Sequence, residues 1–255
     1  MAKGKETSID VMELTTKTLH VHIVGTTPLI CNAMSAKVRQ DLLLPPKKKN
    51  KAAREGSLKH NPIEEYRRSP YRAKGDEAPT RIVFPGGGFK AAIASAALDI
   101  PGATKSQIGR LVWINEWNVP VYGIPQMLMS VVRNSDMART PDVRTRAVLP
   151  EWAAQVSISF ATPQLTEQAV ANLAAAAGVI CGIGDWRPQR GKGNFGQYRL
   201  ASSDDAQYAR VVKQGGLAAQ DEALESPTYF DVETEELYEW WREQAQERGF
   251  LQAVA

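Results

Sequence analysis

A glycine-rich stretch at residues 182–200, GIGDWRPQRGKGNFGQYRL, interleaves glycines with cations and so has the residue types that bind phosphates. Glycine lets the main chain approach an anion closely, and its exposed N–H groups donate to that anion. Guanidinium and ammonium groups add the attraction of opposite charge. The residues predicted to take part are Arg187, Arg190, Gly191, Lys192 and Gly193. An exposed hairpin turn with incidental charge is the alternative interpretation.

A second glycine turn, FPGGGFKA, precedes a predicted helix. Gly86, Gly87 and Gly88 would direct backbone N–H groups at an anion, with Lys90 one turn further on. The spacing does not match the P-loop or the dinucleotide-binding motif, so no nucleotide cofactor is predicted. Tight packing of the helix against a strand is the alternative reason for these glycines.

Charge is segregated along the chain, although the net charge is only +3. Residues 37–74 carry twelve basic and four acidic side chains, whereas residues 201–255 carry four basic and twelve acidic ones. This asymmetry predicts a polyanionic partner and permits head-to-tail contact between copies, unless both segments are simply solvated. The further basic residues predicted to contact successive phosphates are Lys47, Lys48, Lys49, Lys51, Arg133, Arg139, Arg144 and Arg146.

Catalytic chemistry has few candidates in this sequence. Histidine is the commonest general base near neutral pH, and His20 and His22 share one face of a predicted strand while His60 lies in the basic segment. No cluster of cysteines or carboxylates accompanies them, and Asp136 is typical of a turn. Neither a metal site nor a catalytic residue is therefore predicted, and a binding protein is favoured over an enzyme.

The elements that would position these residues follow from local patterns. Alternation in TLHVHIVGTTPLI predicts a strand that ends near Gly25 and Pro28. RIVF predicts a strand before the second glycine turn, and Thr166 predicts the start of a helix that ends at Gly182 or Gly184. Further strands are predicted in LVWINEWNVPVYGI, VRTRAVLP, AAQVSISFA and GQYRLA. This order predicts an α+β fold in which helices cover one face of an antiparallel sheet, as in split βαβ units.

Two segments differ from this core of residues 1–200. A basic insertion occupies about residues 37–80, of which 45–80 are predicted to be flexible with one helical turn near PIEEYRR. Residues 201–255 are predicted to form an acidic helical extension, in which Leu237, Trp240 and Trp241 lie on one side of a helix.

Cellular location is inferred from two further features. Cys31 and Cys181 form no metal-binding pattern and suit a reducing compartment. The polar N-terminus has no apolar signal region, and no apolar run has the length of a membrane span. A cytoplasmic protein without membrane contact is predicted.

Three of these landmarks together resemble the RAMP superfamily, the RNA-binding proteins of CRISPR antiviral systems. They are the strand that ends in GTTPLI, the turn VFPGGGFKAAIASAA and the loop GIGDWRPQRGKGNFGQYRL. Pro85, Gly86 and Lys90 match the family's middle landmark, whereas Gly87 and Gly88 replace serines and Ala91 replaces a glycine. The resemblance covers about residues 19–200, and the acidic extension has no counterpart in it.

This resemblance implies an RRM-like (ferredoxin-like) core, and the basic insertion resembles the thumb-like insertions of backbone subunits that oligomerise along guide RNA. Single-stranded nucleic acid is then the expected partner, with RNA favoured. The segment NAMSAKVRQDLLL is also similar to phage-encoded proteins, so a single-stranded DNA binding or annealing protein stays open. A RAMP-type endoribonuclease that uses His20, His22 or His60 is the third alternative.

Overall fold

A computed structural model describes residues 12–34, 42–44, 58–133, 140–190 and 193–251, which form an α+β fold with mostly antiparallel sheets. The larger sheet comprises β1 (Thr15–Gly25), β3 (Tyr71–Arg72), β4 (Ile82–Pro85), β5 (Val112–Ile114), β6 (Asn118–Tyr122), β9 (Ala153–Thr162) and β10 (Tyr198–Ala201). The smaller sheet comprises β2 (Leu29–Ile30), β7 (Gln126–Arg133) and β8 (Pro141–Leu149). The helices are α1 (Pro62–Arg68), α2 (Gly86–Ala96), α3 (Lys105–Leu111), α4 (Glu167–Ala176), α5 (Ala206–Gln214), α6 (Leu217–Glu225) and α7 (Val232–Glu247).

Strand β1 lies in the interior of the larger sheet, between β10 and β9. Val21 and Ile23 point to one face and are buried with Phe89 and Ile93 of α2. The other face is polar, and His20 lies opposite Ser157 there. The period of two in the sequence therefore describes most of this strand. At its C-terminal end the other face is covered as well, since Val24 is fully buried and the Tyr208 ring of α5 contacts the His22 ring.

Two β-α-β segments interleave in the larger sheet, where β10, β1, β9 and β5 are neighbours in that order and every pair is antiparallel. The chain between β1 and β5 contains α2 and α3 among other elements, and the chain between β9 and β10 contains α4. This arrangement is consistent with the predicted RRM-like α+β fold. Thr166 caps α4 as predicted, since its side chain accepts a hydrogen bond from the Ala169 N–H at 3.1 Å.

Residues 58–80 are part of the packed fold, contrary to the prediction of a flexible insertion. Tyr66 of α1 is fully buried, and its hydroxyl lies 3.1 Å from the Pro125 carbonyl oxygen and 2.8 Å from that of Ala223. Strand β3 then extends the larger sheet by pairing with β4. The helical turn predicted near PIEEYRR is confirmed as α1. The prediction of flexibility failed because many exposed charges surround a single large buried ring. Residues 45–57 lie outside the described part of the chain.

The acidic C-terminal segment packs against the core. Gln220 of α6 is completely buried, and its Oε1 accepts a hydrogen bond from the Ile82 N–H at 2.8 Å. Its Nε2 lies 2.8 to 3.0 Å from the carbonyl oxygens of Val121, Gly123 and Gly215. One side chain thus satisfies backbone groups of β4, β6 and two turns.

Helix α7 is amphipathic, but only part of the predicted apolar face is covered. Leu237 packs against the core, whereas Trp240 is 60% exposed. None of the helices in the described residues has the length and hydropathy that a membrane span requires.

His60 lies between two carboxylates at the junction of α1 and β8. Its Nδ1 is 2.8 Å from Glu65 Oε1 and its Nε2 is 3.1 Å from Asp142 Oδ1. Lys59 also pairs with Asp142 at 2.9 Å. The hydrogen bond to Glu65 raises the pKa of His60 above its ordinary value of 6.5, although burial and the Lys59 charge oppose this shift.

Replacing Gln220 by leucine should lower the free energy of unfolding by at least about 3 kcal/mol, because several buried backbone groups lose their only side-chain partner. Gln214→Leu, at an exposed position of α5, is the matched control and should change it by less than about 0.5 kcal/mol. Urea denaturation of both variants measures the difference. Equal stability of the two would show that Gln220 does not hold β4 and β6 together.

Stability should also depend on the protonation of His60. Because the folded-state pKa is raised, the stabilisation is fully present below the unfolded pKa and is lost as pH rises through the folded pKa. The urea midpoint of wild type should therefore exceed that of His60→Gln at about pH 5, and the gap should narrow towards pH 8. His20→Gln, at an exposed histidine, is the control. A gap that widens with pH would contradict stabilisation by protonated His60 between Glu65 and Asp142.

Candidate nucleic-acid interface

The glycine loop, residues 182–197, lies on the smaller sheet. The Asp185 N–H donates to the Ile30 carbonyl at 3.0 Å, and the Gly196 N–H donates to the Pro28 carbonyl at 2.8 Å. Phe195 packs against the buried side chains of Ile30, Leu128 and Val148. The loop runs from α4 to β10 of the larger sheet, and its contacts with Pro28 and Ile30 join it to the smaller sheet.

Its glycines serve close packing within the loop and against its neighbours. A Cβ on Gly193 would lie 1.7 Å from the Trp186 carbonyl oxygen, and one on Gly196 would lie 1.8 Å from that of Ile183. Many loop N–H groups other than those of the predicted cradle residues Gly191 and Gly193 already donate within the protein, so they are not free to bind a phosphate. They are the N–H groups of Gly182, Ile183, Asp185, Trp186, Gln189, Arg190, Phe195 and Gly196.

Arg146 is buried beneath this loop and does not face the surface as predicted. It is 4% exposed, and its guanidinium donates to Asp185 Oδ2 at 2.5 Å and to Ser130 Oγ at 2.9 Å. Burial lowers the pKa of Arg146 from its ordinary value, and the charge of Asp185 counteracts this. Asp185 also accepts from Asn32 Nδ2 at 3.1 Å and from the Trp186 N–H at 3.0 Å. Arg146 is therefore a support for the loop.

Four arginines are linked in series through Asp185 by pairwise interactions, and we call Arg144, Arg146, Arg187 and Arg190 the arginine cluster. The charge of Arg144 acts on the pKa of Arg146. Burial, and then the charge of Arg190, lower the pKa of Arg187. Arg187 is half-buried and donates to the Gly184 carbonyl at 2.6 Å, whereas Arg144 and Arg190 are exposed. Among the described residues of this cluster, Arg144 and Arg190 therefore add positive charge to the protein surface.

The second glycine turn is used mainly for packing. Gly86 donates its N–H to the Trp117 carbonyl at 2.9 Å, and a Cβ on it would lie 2.1 Å from the Glu116 carbonyl oxygen. A Cβ on Gly88 would lie 2.4 Å from the Phe84 ring. Gly87 faces open space, and Lys90 is half-buried on α2. The packing interpretation therefore accounts for Gly86 and Gly88.

Several predicted site residues are not part of the arginine cluster. The backbone of Arg133 lies opposite Pro141, three positions along β8 from Arg144, which is about 10 Å. The remaining predicted residues lie outside the described part of the chain, as does Asp136: Lys47, Lys48, Lys49, Lys51, Arg139, Gly191 and Lys192.

The histidines and cysteines lie at separate places. His20 is exposed on the polar sheet face, with its Nδ1 3.0 Å from Ser157 Oγ. The His22 ring contacts the Tyr208 ring edge-on at 4.7 Å. Burial raises the pKa of Cys31 to about 12, which keeps the thiol protonated. Within the described residues, no three side chains of His, Cys, Asp or Glu come together as a metal site requires.

Sequence reasoning missed an aromatic pair beside the arginines. The Trp186 and Phe195 rings are stacked, with centroids 5.8 Å apart and an angle of 5° between their planes. Trp186 is 45% exposed. The signal was present in the sequence, since both aromatic residues occur within the glycine-rich stretch.

No protein-family model and no curated protein matches this chain. The resemblance to the RAMP superfamily therefore stays a prediction.

Removing Asp185 should be more damaging than removing Arg146. Asp185→Ala leaves a buried guanidinium without a counter-ion and should lower the free energy of unfolding by about 3 kcal/mol. Arg146→Met leaves a carboxylate that is one-third exposed and still hydrogen-bonded, so it should cost only about 1 kcal/mol. Thermal and urea denaturation compare the two variants.

Glu151→Ala provides the control for this comparison, because it breaks an ion pair with Arg210 in which both side chains are about half exposed. It should cost less than about 1 kcal/mol. If Arg146→Met proved less stable than Asp185→Ala, the buried charge would not be what holds the loop.

Proposed function

We propose that the protein binds single-stranded nucleic acid along its sugar-phosphate backbone through the arginine cluster. The observation that carries this proposal is the series of four linked arginines from β8 and the glycine loop, in which Arg146 and Arg187 both interact with the Asp185 carboxylate. Arginine presents a fork of donors that matches a phosphate group. Nucleic acid is the abundant polymer that presents such groups in series.

Each arginine has a distinct part in this proposal. Arg144 and Arg190 are exposed and contact phosphates directly. Arg187 is held on the Gly184 carbonyl, which leaves part of its guanidinium for the strand. Arg146 stays on Asp185 and keeps the loop on the sheet. Because phosphate contacts carry no base code, binding is nearly independent of sequence and weakens with salt.

The finer proposal is a RAMP-type subunit that oligomerises along guide RNA. The order of β10, β1, β9 and β5 supports it, since this order is consistent with an RRM-like α+β fold. The glycine-rich loop follows a helix and precedes β10, and this order also supports the proposal. Charge segregation along the chain supports contact between successive copies.

Replacing Arg144 and Arg190 together by alanine should weaken binding of a labelled oligonucleotide about tenfold or more at low salt. The slope of log affinity against log salt should fall by up to about two phosphate contacts. Fluorescence anisotropy over a salt series measures both quantities. Arg68→Ala with Arg248→Ala removes the same charge at exposed positions on α1 and after α7, and should preserve the slope.

The same titrations, made with RNA and DNA of one sequence, choose between the finer alternatives. Tighter RNA binding, with discrete RNAs co-purifying from cells, supports the guide-binding proposal. Tighter DNA binding would replace it with a single-stranded DNA binding or annealing protein. An affinity that is equal in wild type and in the Arg144→Ala, Arg190→Ala variant would overturn binding at the arginine cluster.

A further inference from the structure

We infer that the outer face of the Trp186 ring is a stacking site for one unpaired nucleobase of the bound strand. The inference rests on the proposed function, because the arginine cluster brings the strand to this loop. It adds a contact to the base, whereas the arginines contact phosphates. It also assigns a role to an aromatic residue that the phosphate-binding argument does not use.

Trp186 presents a supported and accessible ring. One face is covered by Phe195, which is stacked on it almost in parallel. Phe195 is anchored in turn on the apolar side chains of Ile30, Leu128 and Val148. Trp186 is nevertheless 45% exposed, so a large part of its surface stays accessible beside Phe195. A base placed there would continue the stack.

The backbone holds this ring in a costly conformation. Trp186 has φ of 55°, in the left-handed region that non-glycine residues rarely adopt, whereas a glycine there would be free of strain. Its N–H donates to Asp185 Oδ1 and its carbonyl accepts from the Phe195 N–H at 3.3 Å. Gly193 leaves room for that carbonyl. Strain kept at an exposed aromatic residue beside cations is typical of a binding site.

The chemistry of the surroundings indicates a nucleotide in a single strand. Arg187 follows Trp186 directly in the sequence, and the Arg187 carbonyl accepts a hydrogen bond from the Arg190 N–H in a turn. Two cationic residues therefore follow Trp186 within one turn of the chain. Aromatic platforms beside cations bind successive nucleotides without base preference, because every base has a π face. In a duplex both faces of a base are covered by its neighbours, so an unpaired base is required.

The test compares oligoadenylate with an abasic sugar-phosphate strand of equal length, in fluorescence anisotropy titrations at low salt. Wild type should bind the abasic strand roughly 5- to 100-fold more weakly, the effect expected for one stacked base. Trp186→Gly, which suits the positive φ and lacks the ring, should lose the same factor on oligoadenylate. It should bind the two strands with nearly equal affinity.

Trp186→Phe keeps a smaller ring and should retain most of the preference for oligoadenylate. Trp240→Ala removes an exposed tryptophan from α7 and should leave both affinities unchanged. If wild type binds both strands equally, or if Trp186→Gly still prefers oligoadenylate by the full factor, the stacking site is wrong. Equal binding of both strands by wild type overturns the stacking site even if a variant fails to fold.

Failure of the proposed function gives a different result. Wild type would then bind neither strand in a manner that depends on Arg144 and Arg190. Arginine-dependent binding without a preference for bases would overturn only the stacking site.

Discussion

Burial of the Arg146 guanidinium requires the loop above it to supply a counter-ion. Removing such a group from water costs several kcal/mol unless a partner with good geometry compensates. Asp185 is that partner, and it simultaneously accepts hydrogen bonds from Asn32 and from the Trp186 backbone. One carboxylate therefore fixes the position of the loop on the smaller sheet and the backbone conformation of the residue that follows it. Arg187, Arg190 and the aromatic stack, which all belong to the loop, derive their placement from this ion pair.

The rest of the fold holds the two sheets so that this ion pair can form. The loop follows α4 and a π-helical turn at Ala177–Cys181, and the chain then enters the larger sheet at β10. The smaller sheet is held by α1, whose Tyr66 hydroxyl reaches carbonyl groups on two other segments. Gln220 fastens the C-terminal helices to β4 and β6. Distant parts of the sequence thus determine the geometry of one surface.

Local patterns in the sequence were sufficient for the main elements of the fold. Alternation around Val21 and Ile23 predicted β1, and the cap at Thr166 predicted α4, because each depends on residues within a few positions. Helix α3 was missed, although Thr104 and Gln107 form a capping box at its start. The seven-residue α1 was expected to be a single flexible turn, because its stability comes from burial of Tyr66 and not from helix propensity.

The candidate site was predicted in composition but not in arrangement. The sequence shows that Arg146 and Arg187 are cations, yet it does not show that Arg146 meets a carboxylate 39 positions away. Glycines within the loop looked like an open cradle, whereas tertiary packing against the Trp186 and Ile183 carbonyls is what requires two of them. Long-range contacts of this kind leave no periodic signal in a single sequence.

The interior position of β1 has a consequence for synthesis of the chain. Thr15 pairs with Thr162, 147 positions later, so β1 leaves the ribosome long before its partner strand does. At 5 to 20 residues per second that delay is roughly 7 to 30 s. During this interval the nascent strand has one apolar face and one face of threonine and histidine side chains. The polar face reduces premature association between nascent chains, because an exposed strand that is apolar on both faces associates with other chains more readily.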